Sequence, residues 1–242
     1  MVTKLQTGRN DAVLITCEHG GNRVPAGYAP HLSSLKAALQ THRGQDFGAL
    51  VLARELAAAF GAPMVHSTVT RLLVDLNRSI GHPHLHGEPL RQAPAALRER
   101  IVAEHYRPYR AEVEALVEAS IARGQRVVHV SSHSFTPELH GHVRTADVGL
   151  LYDPARPGEV ALAARWKATL AEVAPTLRVR RNYPYQGRND GFTSSLRRAH
   201  GPADYVGIEI EVNQAIVFGP PSRWAGLRAT LVGTLRDALV SP

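Results

Sequence analysis

Seven short apolar runs, separated by longer segments with helical periodicity, constrain the fold of this 242-residue chain more than any other feature. The runs are rich in Val and Ile and are bounded by Gly, Pro or Asp, as buried strands are. They cover residues 12–17, 63–67, 70–75, 126–131, 147–152, 177–181 and 205–212. Strands that alternate with helices through one chain predict an α/β fold, with helices on both faces of a mixed, mostly parallel sheet.

The segments between these runs repeat apolar residues at the spacing of an amphipathic helix. They predict helices over 46–60, 94–123, 158–173 and 221–239, and Pro108 is expected to kink or divide the second of these. We find no internal repeat, low-complexity tract or interdomain linker. The sequence therefore predicts a single three-layer α/β/α domain over residues 1–242.

Composition limits the class of protein. The chain is 44% hydrophobic and 20% charged, and no apolar run reaches the ~18 residues of a membrane span. We expect a soluble cytoplasmic protein without a membrane partner, since the N-terminal residues also lack a signal-peptide pattern. Cys17 is the only cysteine, which excludes an intrachain disulfide and a cysteine-based zinc cage.

The net charge of +7 comes mostly from arginine. A basic balance suits nucleic-acid binding, but it also suits an enzyme that acts on small acidic substrates. The arginines are scattered along the chain and do not form one basic stripe. We therefore expect no nucleic-acid partner, and a basic, non-catalytic nucleic-acid-binding protein on the same fold is kept as an alternative.

Two histidines follow predicted strands. His19 lies in "CEHGGN" (17–22), after the first strand, and His133 lies in "SSHSF" (131–135), after the fourth. Ligands gather at the carboxyl ends of strands in α/β sheets. Two imidazoles brought together there can hold zinc, and a catalytic zinc needs three protein ligands and a water molecule. A hydrogen-bonded loop or core histidine is the alternative for each.

The spacing leaves the third ligand of such a site open. A carboxylate or an amide would be expected, and the candidates are Asp46, Asn22 and Glu18. Asp46 also stands where a helix N-cap belongs, so a purely structural role is the alternative for it.

The stretch "RLLVDLNRS" (71–79) ends an apolar run with three polar residues, Asp75, Asn77 and Arg78. The planar guanidinium of arginine matches a carboxylate through two hydrogen bonds, and an adjacent asparagine adds a directional amide. These residue types suit the binding of a carboxylate, and Asp75 would then orient Arg78 from behind. A solvated turn is the alternative.

Two carboxylates interrupt the late apolar run "GIEIEVNQ" (207–214). Glu209 and Glu211 point to the same face of a strand, because side chains alternate along it. Burying a carboxylate costs free energy unless it is paired, hydrogen-bonded or near a metal. A desolvated glutamate with a raised pKa is a good general base for water. An edge strand with one wet face is the alternative.

Seven motifs occur in order and together resemble the N-formylglutamate amidohydrolase family. They are "CEHGGNRVP", "DFGA", "RLLVDLNRS", "SSHSFTP", "DVGLLYD", "RNYPYQGRNDG" and "EVNQAI", and they extend from about residue 12 to 217. That family is distantly similar to zinc carboxypeptidases and aspartoacylase-type deacylases. The resemblance implies a zinc-carboxypeptidase-like fold.

The resemblance also implies a centre for one divalent metal, Zn²⁺. His19 and His133 match the two histidine ligands of the relatives. The relatives carry a glutamate as second ligand where this chain has Asn22. We therefore expect Asp46 to complete the metal site.

The remaining roles follow from the same resemblance. Glu211 matches the general base, because "EVNQAI" fits the family pattern, and Glu209 is the second choice. Arg78 and Asn77 match the clamp for the substrate carboxylate. The positions assigned to substrate binding are Asn22, Asn77, Arg78, Arg181 and Tyr185. Asp147, with the residues around Arg181, is expected to shape the pocket or to bind a second carboxylate.

The function implied by the resemblance is zinc-dependent hydrolysis of the linear amide of a small acidic N-acyl amino acid. The family name points to N-formyl-L-glutamate, with formate and L-glutamate as products. A zinc peptidase or amidase that acts on peptide or peptidoglycan-type amides is the alternative.

Overall fold

A six-stranded mixed sheet runs through residues 10–240, the part of the chain that the computed structural model describes. The strands are β1 (Asp11–Cys17), β2 (Met64–His66), β3 (Arg126–Phe135), β4 (Glu138–Leu139), β5 (His142–Val143), β6 (Val148–Leu151), β7 (Val179–Arg181) and β8 (Tyr205–Asn213). The order across the sheet is β2-β1-β3-β8-β6-β7, and β4 and β5 form a separate antiparallel pair.

All neighbours in the sheet are parallel except one pair. β1 pairs in parallel with β2 and β3, β3 with β8, and β6 with β7, whereas β6 and β8 are antiparallel. The prediction of a mixed, mostly parallel sheet is therefore confirmed. The last strand in the chain, β8, lies between two strands that precede it, β3 and β6.

Helices cover both faces of the sheet. The helices are α1 (Lys36–Leu39), α2 (Ala49–Phe60), α3 (Glu88–Arg91), α4 (Ala95–Ile101), α5 (Arg107–Ala122), α6 (Pro157–Val173), α7 (Phe192–Ala199), α8 (Gln214–Val217) and α9 (Pro221–Val240), and a 3₁₀ segment covers Ala26–Leu35. Within residues 10–240 we find no helix with the length and apolar character needed to cross a bilayer.

The alternation of side chains along the strands produces two separate hydrophobic cores. In β1, Leu14 points to one core and Ile15 to the other, and Val127 and Val128 do the same in β3. The first core, on the side of Ile15, also contains apolar residues of α2, α6 and α9. The second core, on the side of Leu14, contains residues of α4, α5 and α7. The two cores make the fold three-layered.

The prediction of a strand over 70–75 is wrong. The chain turns here, and Leu73 N donates to Thr70 O at 3.0 Å while Leu72 N donates to the Thr70 hydroxyl at 3.3 Å. Leu72, Leu73 and Val74 are nevertheless buried, in the second core. A short apolar run indicates burial but does not by itself distinguish a strand from a buried turn.

The predicted helix over 94–123 is divided, as Pro108 led us to expect. A π-helical turn, Val102–Tyr106, joins α4 to α5, and Pro108 lies in the first turn of α5. Proline is tolerated at this position because an N–H in the first turn of a helix has no acceptor within that helix, so its absence costs no helical hydrogen bond.

Strand β3 continues four residues beyond its predicted end. Its pairing with β8 extends to Phe135, which lies opposite Asn213. His133 is therefore part of the strand and does not follow it, and its register partner is Glu211. The single-domain prediction was made for residues 1–242, and its two ends, 1–9 and 241–242, lie outside the described residues.

Candidate active site and metal centre

The end of β1 brings His19 to the carboxyl edge of the sheet. The two glycines that follow are required by close approach of the backbone. A Cβ on Gly20 would lie 2.9 Å from Ser67 O, and one on Gly21 would lie 2.8 Å from Thr68 O. Because these positions admit only glycine without a shift of the neighbouring chain, "HGG" fixes His19 against the segment after β2.

His19, Asp46 and His133 meet at one point beside this edge. Each offers one nitrogen or oxygen atom, and these atoms all lie within 4.8 Å of one another. Asp46 comes from the loop before α2, where its backbone N–H donates to His19 O at 2.9 Å. It is not the N-cap of α2, which is Gly48, so its carboxylate is available to the two histidines.

Each histidine is held between two carboxylates. Nδ1 of His133 and Nδ1 of His19 lie 2.8 and 3.3 Å from the same oxygen of Asp46, Oδ2. The other nitrogen of His19, Nε2, lies 2.8 Å from Asp75 Oδ1, and Nε2 of His133 lies 3.1 Å from Glu18 Oε2. A carboxylate that holds the outer nitrogen of a histidine and leaves the inner one free is the usual arrangement around a protein-bound metal. The donor set therefore fits a divalent cation.

Glu18 lies behind His133, not beside Asp46. It is completely buried and accepts hydrogen bonds from Ser131 Oγ at 2.6 Å and from Tyr109 Oη at 3.0 Å. Burial alone would raise the pKa of Glu18, but the hydrogen bond and charge of His133 hold it well below its ordinary value. Glu18 is thus an ionised partner for the outer nitrogen of His133.

Arg71 connects the two aspartates of this centre, and the sequence analysis did not identify it. Its guanidinium lies 2.7 Å from Asp75 Oδ2 and 3.3 Å from Asp46 Oδ1. Burial opposes ionisation of Arg71, but the two carboxylates raise its pKa above the ordinary value. The prediction that Asp75 orients Arg78 is wrong, because both oxygens of Asp75 are engaged by Arg71 and His19.

Glu211 faces the same cavity and differs from every other carboxylate there. Its Oε2 is buried and has no hydrogen-bond partner within residues 10–240. Burial, together with the nearby carboxylates of Asp46 and Glu209, raises the pKa of Glu211 to about 8. Glu209 lies on the same face of β8, but it accepts a hydrogen bond from the hydroxyl of Thr193. Of the two glutamates, Glu211 is therefore the one with a carboxyl oxygen free of hydrogen bonds to the described residues.

A cavity of about 180 Å³ opens above these groups. One wall is the loop 185–190, and the chain around 77–79 is hydrogen-bonded to it. The polar residues that line the cavity include His19, His42, Asp46, Arg71, Asn77, Arg78, His133, Tyr185, Asp190, Glu209 and Glu211. A cavity with a metal-type donor set and an unpartnered carboxyl group can activate water against a bound carbonyl compound.

Arg78 and Asn77 are partly engaged by that wall. Arg78 Nη1 donates to the backbone oxygen of Asp190 at 2.8 Å, and Asn77 Oδ1 accepts from Phe192 N at 2.6 Å. Among residues 10–240 no acidic side chain forms a salt bridge with Arg78. Its guanidinium therefore lines the cavity without a salt-bridge partner, although Asp75 and Asp190 attract it at longer range.

Two residues assigned to substrate binding do not line the cavity. The Asn22 amide donates to Leu39 O at 2.9 Å, and Arg181 is exposed on the edge strand β7. Tyr185 does line it, whereas Asp147 pairs with Arg178 at 2.9 Å. The Asn22 amide is engaged with the backbone before α2, and Arg181 lies on an edge strand, so a role of either in substrate binding stays a prediction.

Comparisons with known proteins identify similar chains. The family model described as N-formylglutamate amidohydrolase matches residues 11–218. A gene product of Agrobacterium tumefaciens, known from its crystal structure, is 30% identical and has a TM-score of 0.81, over 96% of this chain and 92% of that one. No curated protein sequence matches.

Two further solved structures are similar at lower identity. An N-formylglutamate amidohydrolase from Ralstonia eutropha JMP134 is 21% identical with a TM-score of 0.67, over 97% of this chain and 95% of that one. A metallo-carboxypeptidase from Burkholderia cenocepacia is 13% identical with a TM-score of 0.37, over 95% of this chain and 57% of that one. The Ralstonia structure has the same fold over nearly the whole of both chains.

Proposed function

The chain belongs to the N-formylglutamate amidohydrolase family, and on that premise we propose that it hydrolyses N-formyl-L-glutamate to formate and L-glutamate. The observation that carries the proposal is the position of Glu211, whose unpartnered carboxyl oxygen lines the same cavity as His19, Asp46 and His133. A base for water and a set of metal ligands in one cavity are the two requirements of metal-assisted amide hydrolysis.

His19, Asp46 and His133 would hold the metal, which we propose to be Zn²⁺. When bound, the ion supplies Lewis acidity, which polarises a carbonyl group and lowers the pKa of water. Asp75 and Glu18 each accept a hydrogen bond from the outer nitrogen of one histidine, so that both inner nitrogens keep a free lone pair.

Glu211 acts as general base and then as general acid. Its ionised carboxylate takes a proton from the attacking water, whose oxygen forms a bond to the formyl carbon. When the carbon–nitrogen bond breaks, Glu211 returns that proton to the leaving amine of glutamate. Glu209 is less suited to the role of general base, because its carboxylate accepts a hydrogen bond from Thr193.

Arg78 binds a carboxylate of the substrate. It lines the cavity, and its backbone-anchored Nη1 leaves the rest of the guanidinium to interact with an anion. Such a contact orients the formyl amide toward Glu211 and converts binding energy into rate. Tyr185 also lines the cavity, at the other end of the 185–190 loop from Asp190. It would contact the bound substrate there.

The proposal is tested by measuring formate release from N-formyl-L-glutamate with protein whose metal content is determined in parallel. We expect activity that chelation removes and that added Zn²⁺ restores. Short peptides and peptidoglycan fragments serve as competing substrates. Protein that carries metal but hydrolyses peptides in preference to N-formyl-L-glutamate would overturn the substrate assignment. Full activity in protein shown to be free of metal would overturn the metal assignment.

A further inference from the structure

Arg144 is held rigidly beside the cavity by its own backbone. It follows β5 directly, its N–H donates to Pro137 O at 2.7 Å, and its carbonyl accepts from Asn213 Nδ2 at 3.1 Å. Asn213 lies on β8, two residues after Glu211. The strand that carries Glu211 therefore also fixes the position of Arg144.

The side chain of Arg144 reaches residues that line the cavity. Its Nη1 donates to Tyr185 Oη at 3.1 Å. The guanidinium carbon lies 5.1 Å from the centre of the Tyr185 ring and 5.9 Å from that of Phe135. Tyr185 and Phe135 both line the cavity. Arg144 therefore lies beside the cavity, next to two of the residues that line it.

Two arginines beside the cavity lie outside every salt bridge of the described residues. Between residues 10 and 240, no aspartate or glutamate forms a salt bridge with Arg144 or with Arg78. The pKa of His42, which lines the cavity, is lowered first by burial and then by Arg144, Arg43 and Arg71. Unpaired cations that surround a cavity attract an anionic ligand.

We infer that Arg144 and Tyr185 form a second anion subsite, which binds the side-chain carboxylate of a dicarboxylic N-acyl amino acid while Arg78 binds its α-carboxylate. The inference rests on the proposed function and specifies its substrate class. The two arginines contact different points of one wall, Asp190 and Tyr185. Tyr185 is 45% exposed, so the subsite lies at the rim, where the longer arm of the substrate ends.

This subsite differs from the one that the sequence suggested. Asp147 and the residues around Arg181 were expected to shape the pocket or to bind a second carboxylate, but Arg181 is exposed on β7 and Asp147 pairs with Arg178. Arg144 stands outside the motifs that carried the family resemblance. Its guanidinium offers a rigid, directional partner for a carboxylate because the Tyr185 hydroxyl already orients one of its nitrogens.

The test compares two substrates of the same shape, N-formyl-L-glutamate and N-formyl-L-glutamine, in the metal-loaded enzyme. In Arg144→Gln we expect kcat/KM for the glutamate substrate to fall roughly 10- to 100-fold, the range for a hydrogen bond to a charged group. The value for the glutamine substrate should hardly change. Arg188→Gln is the matched control, because Arg188 is an exposed arginine of the 185–190 loop and, among the hydrogen bonds of residues 10–240, has none to Tyr185. Arg144→Lys should restore part of the preference.

A binding measurement separates this inference from the proposed function. Calorimetry with glutarate and its monoamide, glutaramate, should show tighter binding of glutarate to the unmutated protein and no difference in Arg144→Gln. Suppose that no N-formyl substrate is hydrolysed, but the unmutated protein binds glutarate more tightly than glutaramate and Arg144→Gln does not. The proposed function then fails and the subsite is supported. The subsite is overturned if the unmutated enzyme shows no preference for the charged side chain, or if Arg144→Gln lowers kcat/KM equally for the two substrates.

Discussion

Nε2 of His19 lies 2.8 Å from Oδ1 of Asp75, and this single contact determines which nitrogen of the ring faces Asp46. Because an ionised carboxylate only accepts hydrogen bonds, the Nε2 nitrogen keeps its proton. Asp75 is itself fixed by Arg71, which lies 2.7 Å from its other oxygen. The orientation of His19, a candidate metal ligand, is therefore set by Asp75, which does not itself line the cavity.

We predict that Asp75→Asn weakens metal binding by about 10- to 100-fold, the usual cost of removing such an outer partner. In addition, the NH2 group of the asparagine would face two N–H donors of Arg71, which is a repulsive contact. Competition with a chelator measures the change in metal Kd. Asp11→Asn, which removes a salt bridge to Arg126 at the other end of the sheet, is the control and should leave the Kd unchanged. An Asp75→Asn protein with undiminished metal affinity would refute this role.

Exchanging the two glutamates of β8 for glutamine should have unequal effects. Glu211→Gln is expected to lower kcat by about 10²- to 10⁴-fold, the contribution of a general base, with metal content unchanged. Glu209→Gln should cost much less, because that carboxylate serves as the acceptor for Thr193. Single-turnover formate release with metal-loaded variants provides the comparison. The assignment is reversed if Glu209→Gln is the more damaging change.

Arg78→Ala is predicted to reduce kcat/KM for N-formyl-L-glutamate by about two to three orders of magnitude, roughly 3–4 kcal/mol. Arg78→Lys should recover little of this, because an ammonium group lacks the planar fork. N-formyl-4-aminobutyrate, which lacks only the α-carboxylate, is the diagnostic substrate. The unmutated enzyme and Arg78→Ala should hydrolyse it at similar rates. An equal loss on both substrates would mean that Arg78 supports the wall through Asp190 instead.

The stability of the metal-free protein should depend on pH through Glu211. Burial raises the pKa of Glu211 from its ordinary value of 4.5 to about 8 in the folded protein. The folded state therefore holds the proton more tightly than the unfolded chain does. The stability contributed by the neutral carboxyl is complete below pH 4.5 and is lost as the pH rises through 8.

Glu211→Gln is neutral at every pH and removes this dependence. In urea titrations of metal-free protein, the variant should gain stability over the unmutated protein between pH 5 and pH 9. His133, whose pKa burial lowers but the Asp46 and Glu18 carboxylates raise well above its ordinary value, titrates in both proteins and largely cancels in the difference. If the free energy of unfolding changed with pH in the same way for the two proteins over this range, the raised pKa of Glu211 would be contradicted.

The sheet and the family could be predicted from the sequence, because buried strands and ordered motifs are local signals. Six of the seven predicted strands are present, and the family match over 11–218 confirms the resemblance. The run 70–75 failed because burial of Leu73 and Val74 carries no information on backbone direction. Hydrophobicity indicates which residues are buried. The turn itself is formed by hydrogen bonds from the backbone N–H groups of Leu72 and Leu73 to Thr70.

The partners of the site residues could not be predicted, since they depend on contacts between distant parts of the chain. Glu18 was considered as a metal ligand and Asp75 as the support of Arg78, yet each holds the outer nitrogen of a histidine. Arg71 looked like one of many scattered arginines, and only its four-residue separation from Asp75 hinted at their pairing. A sequence indicates which side chains have the chemistry of a ligand or a base, whereas the fold determines which of them lie in contact.

The position of β8 has a consequence for synthesis. The chain makes β3 and β6 long before Tyr205–Asn213, yet β8 lies between them in the sheet. A nascent chain that ends before residue 205 would therefore expose the unpaired edges of two hydrophobic strands, a state prone to aggregation. Glu211 arrives on that final strand. A chain that ends before residue 205 would therefore lack the proposed base as well as a central strand of the sheet.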